Sequence, residues 1–291
     1  MKSKVAFVVD STTIVTEEMQ REYRFYTVPL NVSDGKTSRH ETDISDEEIY
    51  SIVEDPELCK HLKSSSPAPG DFADAYEKLF AEGYDDIIVF TLSKEVSGTY
   101  QTAIMAKDLI EDESKSEHVF VINTLLCNYG VINGIQASLP FLSQDITTEQ
   151  LVEKINENFE NSNLMFTILD LKHLFRGGRL NKLSCAIGLL FKIKPVIEMV
   201  DGKLVLAYKM RTKVNVVDLF MKRISEFSLK YKKVYLRFVD LNNIEVIEQM
   251  KKMVAEKFSN VVISNVSRVG PVFNVHLGTQ GFGISLTGVN E

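Results

Sequence analysis

The sequence predicts an α/β protein of two domains, a parallel α/β/α N-terminal domain and a mixed-sheet α/β C-terminal domain. Three observations carry that prediction. Short continuous apolar runs such as 5–9 and 87–92 are the pattern of strands covered on both faces. Segments with apolar residues at helical spacing alternate with such runs as far as Asn161, which argues for a parallel sheet flanked by helices. Beyond Asn161, Asp201-Gly202 between two strand-like runs is a two-residue hairpin signal, so antiparallel pairing enters there. The domains are therefore expected at residues 1–161 and 162–291.

Taken in order, residues 5–9 form a first strand that ends in Asp10-Ser11-Thr12-Thr13, before a helix-like segment around 17–23. Asp10 and its hydroxyl neighbours are a candidate polar cluster at a strand end, and Asx-type capping alone also accounts for them. Residues 26–32 read as a strand and the polar stretch 33–46 as an exposed loop. A helix follows from Ser45, where Ser45-Asp46-Glu47-Glu48 resembles a capping box. The stretch 63–71, with Ser64, Ser65 and Ser66 ahead of Pro67 and Pro69, is the most turn-rich in the chain. A plain linker has that composition, yet Phe72, Ala75, Tyr76, Leu79 and Phe80 mark an amphipathic helix immediately after it.

Residues 87–92 are the strand around which the rest is organised, running into Ser97-Gly98-Thr99 and then a helix through Tyr100, Ala103 and Ile104. Open α/β sheets bind ligands at such carboxyl ends of strands. Hydroxyls, a glycine that admits a ligand to the backbone, and unpaired helix N–H groups suit a carboxylate or phosphate. An ordinary N-cap at Ser97 or Thr99 has the same appearance. A strand at 119–122, a small-residue helix with Gly130, Gly134 and Ala137, and a helix marked by Leu151, Ile155 and Phe159 complete this half.

The second half opens with a strand at 164–169 and a short basic segment at 171–179 containing Gly177-Gly178. The hairpin strands at 196–200 and 203–206, a long amphipathic helix through Val214, Met221 and Phe227, a strand at 234–239 and a helix through Ile247 and Val254 follow. Residues 270–281 read as a strand opening into a glycine-rich turn. The apolar runs 186–191 and 273–275 suit either core or an acyl pocket.

Composition removes several function classes. A net charge of -7 offers no broad attraction to nucleic acid or anionic membrane. Cys59, Cys127 and Cys185 form no C-x-x-C pair, so no disulfide framework or zinc site is expected and a reduced setting fits. The first apolar run ends at Asp10, too short for a signal core, and no apolar stretch is long enough to span a membrane, so the expected location is cytoplasmic. The five histidines show no metal-ligand spacing, and neither a P-loop nor a dinucleotide fingerprint is present, so no metal and no cofactor are expected. Ser97, His276 and Asp10 could supply the residue types of a serine hydrolase or acyl transferase, but Ser97 lacks the G-x-S-x-G elbow. What remains, hydroxyls, glycines, a histidine and a few arginines in loops, suits holding a ligand's polar head. A sensor of a non-lipid anion would use the same groups.

Five motifs in order, VDST at 9–12, SSSPAPGDF at 64–72, SKEVSGTYQTA at 93–103, LFRGGRL at 174–180 and VGPVFNVHLGTQGFG at 269–283, resemble the DegV family of bacterial proteins. That family includes the fatty acid-binding subunits of the fatty acid kinase system. The resemblance implies one long-chain fatty acid buried between two α/β domains. It implies no catalytic residue in this chain, which would present the carboxylate to an ATP-dependent kinase and carry the acyl phosphate onward. By motif, Ser97 matches the head-group serine, with Gly98 and Thr99 beside it. Ser64 and Ser65 cover a threonine-serine pair, and either could make the contact. His276 matches the C-terminal histidine, Arg179 an arginine near the head group, and Arg211 one facing the kinase. This sequence departs from the family pattern at Ser66, at Asn123-Thr124 and at Thr279-Gln280.

Overall fold

The computed structural model describes residues 3–169, 171–179, 194–264 and 267–290. Seven strands lie in the first half: β1 (Val5–Asp10), β2 (Tyr26–Val28), β3 (Asn31–Ser33), β4 (Ser38–His40), β5 (Lys63–Ser65), β6 (Asp86–Thr91) and β7 (Val119–Asn123). Four of them make a parallel sheet in the order β2-β1-β6-β7. Every residue of β6 is buried, and the two-residue period of a strand splits them between two cores. Ile87 and Val89 pack with Phe72, Tyr76 and Ala103, while Ile88 and Phe90 pack with Ile132, Ile155 and Phe159. The helices of this half are α1 (Glu17–Tyr23), α2 (Asp46–Glu54), α3 (Pro69–Ala81), α4 (Thr99–Met105), α5 (Tyr129–Ser138) and α6 (Thr148–Glu160). The first core thus belongs to α3 and α4 on one face, and the second to α5 and α6 on the other.

The second half contains β8 (Ser162–Ile168), α7 (Lys172–Arg176), β9 (Lys194–Val200), β10 (Lys203–Met210), α8 (Lys213–Lys230), β11 (Lys233–Leu241) and α9 (Ile244–Lys257). It ends with β12 (Val261–Ile263), β13 (Ser267–Arg268), α10 (Pro271–Leu277) and β14 (Gly281–Val289). Their sheet is mixed, in the order β10-β9-β8-β14-β11-β12, with β13 also on β11. Asp201 and Gly202 both take positive φ, 48° and 77°, which is what the expected two-residue hairpin between β9 and β10 requires. On one face, Phe220 and Ile224 of α8 and Met250 of α9 cover Leu236, Phe238 and Ile284. On the other, Phe166, Ile168 and Ile197 join the core of α5 and α6, so α5 lies between the two sheets. Asn133 of α5 donates to Tyr235 O at 2.9 Å across that junction.

Three segments differ from the sequence reading. Residues 26–32 make two strands: Pro29 has no N–H for a ladder, Leu30 N donates to Ser11 Oγ, and β3 leaves the parallel sheet. It joins β4 and β5 in a small antiparallel sheet, order β4-β3-β5. The stretch 33–46 is therefore partly a strand, and its Glu41 is only 2% exposed. Residues 271–277 are a helix, not a strand, because Gly270 and Pro271 supply a helix start and Gly278, at φ 80°, supplies a stop. Val272 and Val275 of that helix close a fourth core with Leu30, Val32, Ile49 and Leu62. Among the described residues no helix is long and apolar enough to cross a membrane.

Candidate functional site

Four segments meet at a cavity of about 40 Å³ between the two sheets. They are the end of β6 running into Ser97, strand β5 with Ser64, the α7 segment from Leu174 to Arg179, and helix α10 with His276. Leu30, Leu92, Phe166, Leu204 and Phe273 make the walls apolar. The polar residues on its lining are Ser64, Ser97, His276 and Arg179.

Strand geometry sets the two candidate serines on opposite sides of β5. Side chains of β5 alternate, so Ser64 turns inward while Ser65 is exposed and does not line the cavity. Ser64 Oγ lies 2.7 Å from Nε2 of His276, a pairing of residues 212 positions apart. Ser97 does not cap α4, whose cap position is Gly98 with no side-chain hydrogen bond. The Ser97 hydroxyl instead lies 2.9 Å from Oγ1 of the fully buried Thr99 and accepts from Thr99 N at 3.3 Å. A Cβ on Gly98 would stand 3.4 Å from Ser66 Oγ, so this glycine brings the Ser66 hydroxyl against the Ser97 loop. Arg179 donates from Nε to Val96 O at 3.3 Å and from Nη1 to Gly177 O. It braces the loop before Ser97 against the glycine turn. Arg211 is exposed between β10 and α8 and lies outside the cavity.

The electrostatics favour neutral donors. His276 is 8% exposed, and burial first, then the charges of Arg179 and Arg176 and the nearby His173, push its pKa down to about 4. Near neutral pH the imidazole is uncharged. Its Nδ1 is buried and has no hydrogen-bond partner among the described residues. Burial, with a smaller contribution from Asp10, pushes the Cys127 thiol up to about 12, so that wall stays un-ionised. The arrangement can hold a small acceptor group by hydroxyls and an imidazole while its apolar remainder enters the core.

Among the described residues it does not assemble a hydrolytic triad. His276 faces Ser64 rather than Ser97, and among the described residues no acid meets its Nδ1. Asp10 is engaged elsewhere, accepting from Leu92 N at 2.7 Å and Thr12 N at 3.0 Å. Among the described residues no cluster of His, Cys, Asp or Glu could hold a metal ion. The residue that sequence reasoning does not single out is Glu41, which with Ser11 bonds to the backbone of Val272 and Leu30 on the cavity wall. Nothing in a run of polar residues marks one acid as buried, although Ser11 sits in the noted strand-end cluster.

Comparison with known proteins agrees with this architecture. Residues 4–288 match a family profile described as "Uncharacterised protein, DegV family". A DegV domain-containing protein of Staphylococcus aureus strain COL is 31% identical over 283 residues, covering 97% of this chain and 98% of the relative. A stearic acid-binding protein from Eubacterium ventriosum superimposes with a TM-score of 0.84 at 26% identity, covering 99% of this chain and 98% of that one. A DegV lipid-binding protein from Thermotoga maritima gives the same TM-score at 24% identity, with 99% of each chain covered. With a profile matched over almost its whole length and a relative above 30% identity, the chain belongs to the DegV family.

Proposed function

We propose that this protein binds one long-chain fatty acid, its carboxylate on Ser97, Ser64 and His276 and its acyl chain in the apolar space between the domains 1–161 and 162–291. The observation that carries the reading is the contact between Ser64 and His276 on the lining of a largely apolar cavity that Ser97 also lines. A carboxylate taken from water is costly unless hydrogen-bonded, and hydroxyl and imidazole donors offset that cost. Each buried CH2 of the ligand adds about 0.8 kcal/mol, so chain length dominates affinity. A cavity of about 40 Å³ takes the head group; the chain enters by parting the side chains of the walls. The stearic acid-binding relative supports the same ligand class.

The finer reading is that the chain has no catalysis of its own. It presents the bound carboxylate to an ATP-dependent kinase subunit, which docks on the surface carrying Arg211, and it carries the acyl phosphate. Ser97→Ala tests both levels. Removing one hydroxyl donor is expected to weaken fatty acid binding about tenfold and to lower kinase-coupled acyl phosphate formation, with the thermal midpoint unchanged. Affinity should also rise steeply with acyl length in a series of saturated acids. Unchanged affinity in the variant, or indifference to chain length, would count against the site.

A further inference from the structure

Behind the cavity wall, three backbone N–H groups converge on one buried polar strip at the end of β1. Leu92 N donates to Asp10 Oδ2 at 2.7 Å, Leu30 N to Ser11 Oγ at 2.8 Å, and Val272 N to Glu41 Oε2 at 3.0 Å. Ser11 Oγ in turn donates to Glu41 Oε1. Asp10 is fully buried, and Ser11 and Glu41 are 9% and 2% exposed. Each donor stands on a segment that carries one head-group residue or pairs with the strand that does. Leu92 leads into Ser97. Leu30 leads into β3, where Val32 pairs with Ser64. Val272 lies one helical turn before His276 on α10. The carboxylate sits directly beneath the start of that helix, since a Cβ on Gly270 would be 3.1 Å from Glu41 Oε2.

We propose that Glu41 is the positioning residue of the head-group site, holding the His276 helix in register with the Ser64 and Ser97 segments, and that binding of the ligand's carboxylate is coupled to proton uptake at Glu41. The inference rests on the fatty acid reading for the identity of the anion. Like charges brought together disfavour each other's ionised forms, and Val272 belongs both to the cavity wall and to the Glu41 bond. Burial raises the Glu41 pKa to about 7, with the charge of Asp10 adding to it, and burial raises Asp10 to about 6. The other titratable groups nearby include the exposed His40 and Glu47, Glu48 paired with Arg39, and the half-buried Tyr50. From α10 there is His276, uncharged near neutrality; from α2 there are Asp46, 3.8 Å from Arg268, and Glu54, which accepts from Thr279. The sign follows: a group raised to about 7 gains its proton more readily when an anion arrives, so the carboxylate ligand binds more tightly below that pH than above it.

The test is the affinity for dodecanoate, below its micelle concentration, and for uncharged dodecanol, at about pH 6 and about pH 8. Wild-type protein should lose roughly fivefold in dodecanoate affinity across that range and nothing in dodecanol affinity. Glu41→Gln keeps an acceptor for Val272 N and a partner for Ser11 without the charge, so its dodecanoate profile should flatten at the tighter value. Glu41→Ala removes the bonds and should bind both ligands more weakly at both pH values. A Glu41→Gln profile as steep as the wild type, or wild-type affinity in Glu41→Ala, overturns the proposal. If no form binds either ligand, the fatty acid reading fails, and the positioning role is judged by NMR of the His276 ring. Glu41→Ala should then shift its resonances and raise its pKa towards the ordinary value while Glu41→Gln does not; an unmoved ring overturns the role on its own.

Discussion

Gly177→Ala is expected to remove the head-group site while leaving the fold standing. A Cβ at this position would lie 2.2 Å from Nδ1 and 2.8 Å from Cε1 of His276, far inside van der Waals contact. Gly177 has φ -70°, an ordinary helical value, so the backbone accepts alanine and the collision falls chiefly on the ring, His173 O being 3.3 Å away. The ring is buried and held at Nε2 by Ser64, and moving it away breaks that contact. A lost hydrogen bond together with a stranded buried polar group costs about 2–3 kcal/mol, or roughly a hundredfold in fatty acid affinity. Calorimetric titration and a thermal melt check both halves of the expectation. Gly178→Ala is the control, because it has positive φ, 71°, but no atom within 4 Å of its Cβ position. It should lose about 1 kcal/mol of stability and keep binding.

Gly283→Ala should do the reverse, damaging the fold first. Gly283 is in the middle of β14, between Phe166 of β8 and Val239 of β11. Its Cβ would stand 2.5 Å from Met165 O and 2.6 Å from the Phe166 Cβ. Backbone cannot rotate aside as a side chain can, so β8 and β14 must separate locally. The expected loss is about 3 kcal/mol in denaturant unfolding, at the upper end for overpacking. Phe166 also lines the cavity, so affinity should fall for long-chain acids more than for short ones. An unchanged unfolding midpoint would mean that the β8 and β14 pairing has more slack than its register allows.

What the sequence made legible was local. The strand at β6, the turn at Ser97-Gly98-Thr99 and the Asp201-Gly202 hairpin each declare themselves within a few residues, and each stands where it was expected. That Ser64 and not Ser65 lines the cavity needed one further fact, that residues 63–65 form a strand, whose two-residue period turns one serine inward and the other out. Helix α10 is not legible in the sequence because Val272, Phe273, Val275 and Leu277 favour a strand by type, while the helix start at Gly270-Pro271 and the core beneath it override that preference. Glu41 was beyond reach, since its burial depends on a bond to Val272, 231 residues away. The apolar run at 186–191 and Cys185 lie outside the described residues.

The most direct measurement is native mass spectrometry of the purified protein, followed by denaturing extraction and identification of what is released. The expected result is one long-chain fatty acid per chain, lost from the Gly177→Ala form. A protein that carries nothing, and still carries nothing after incubation with fatty acids of several lengths, would contradict the fatty acid site.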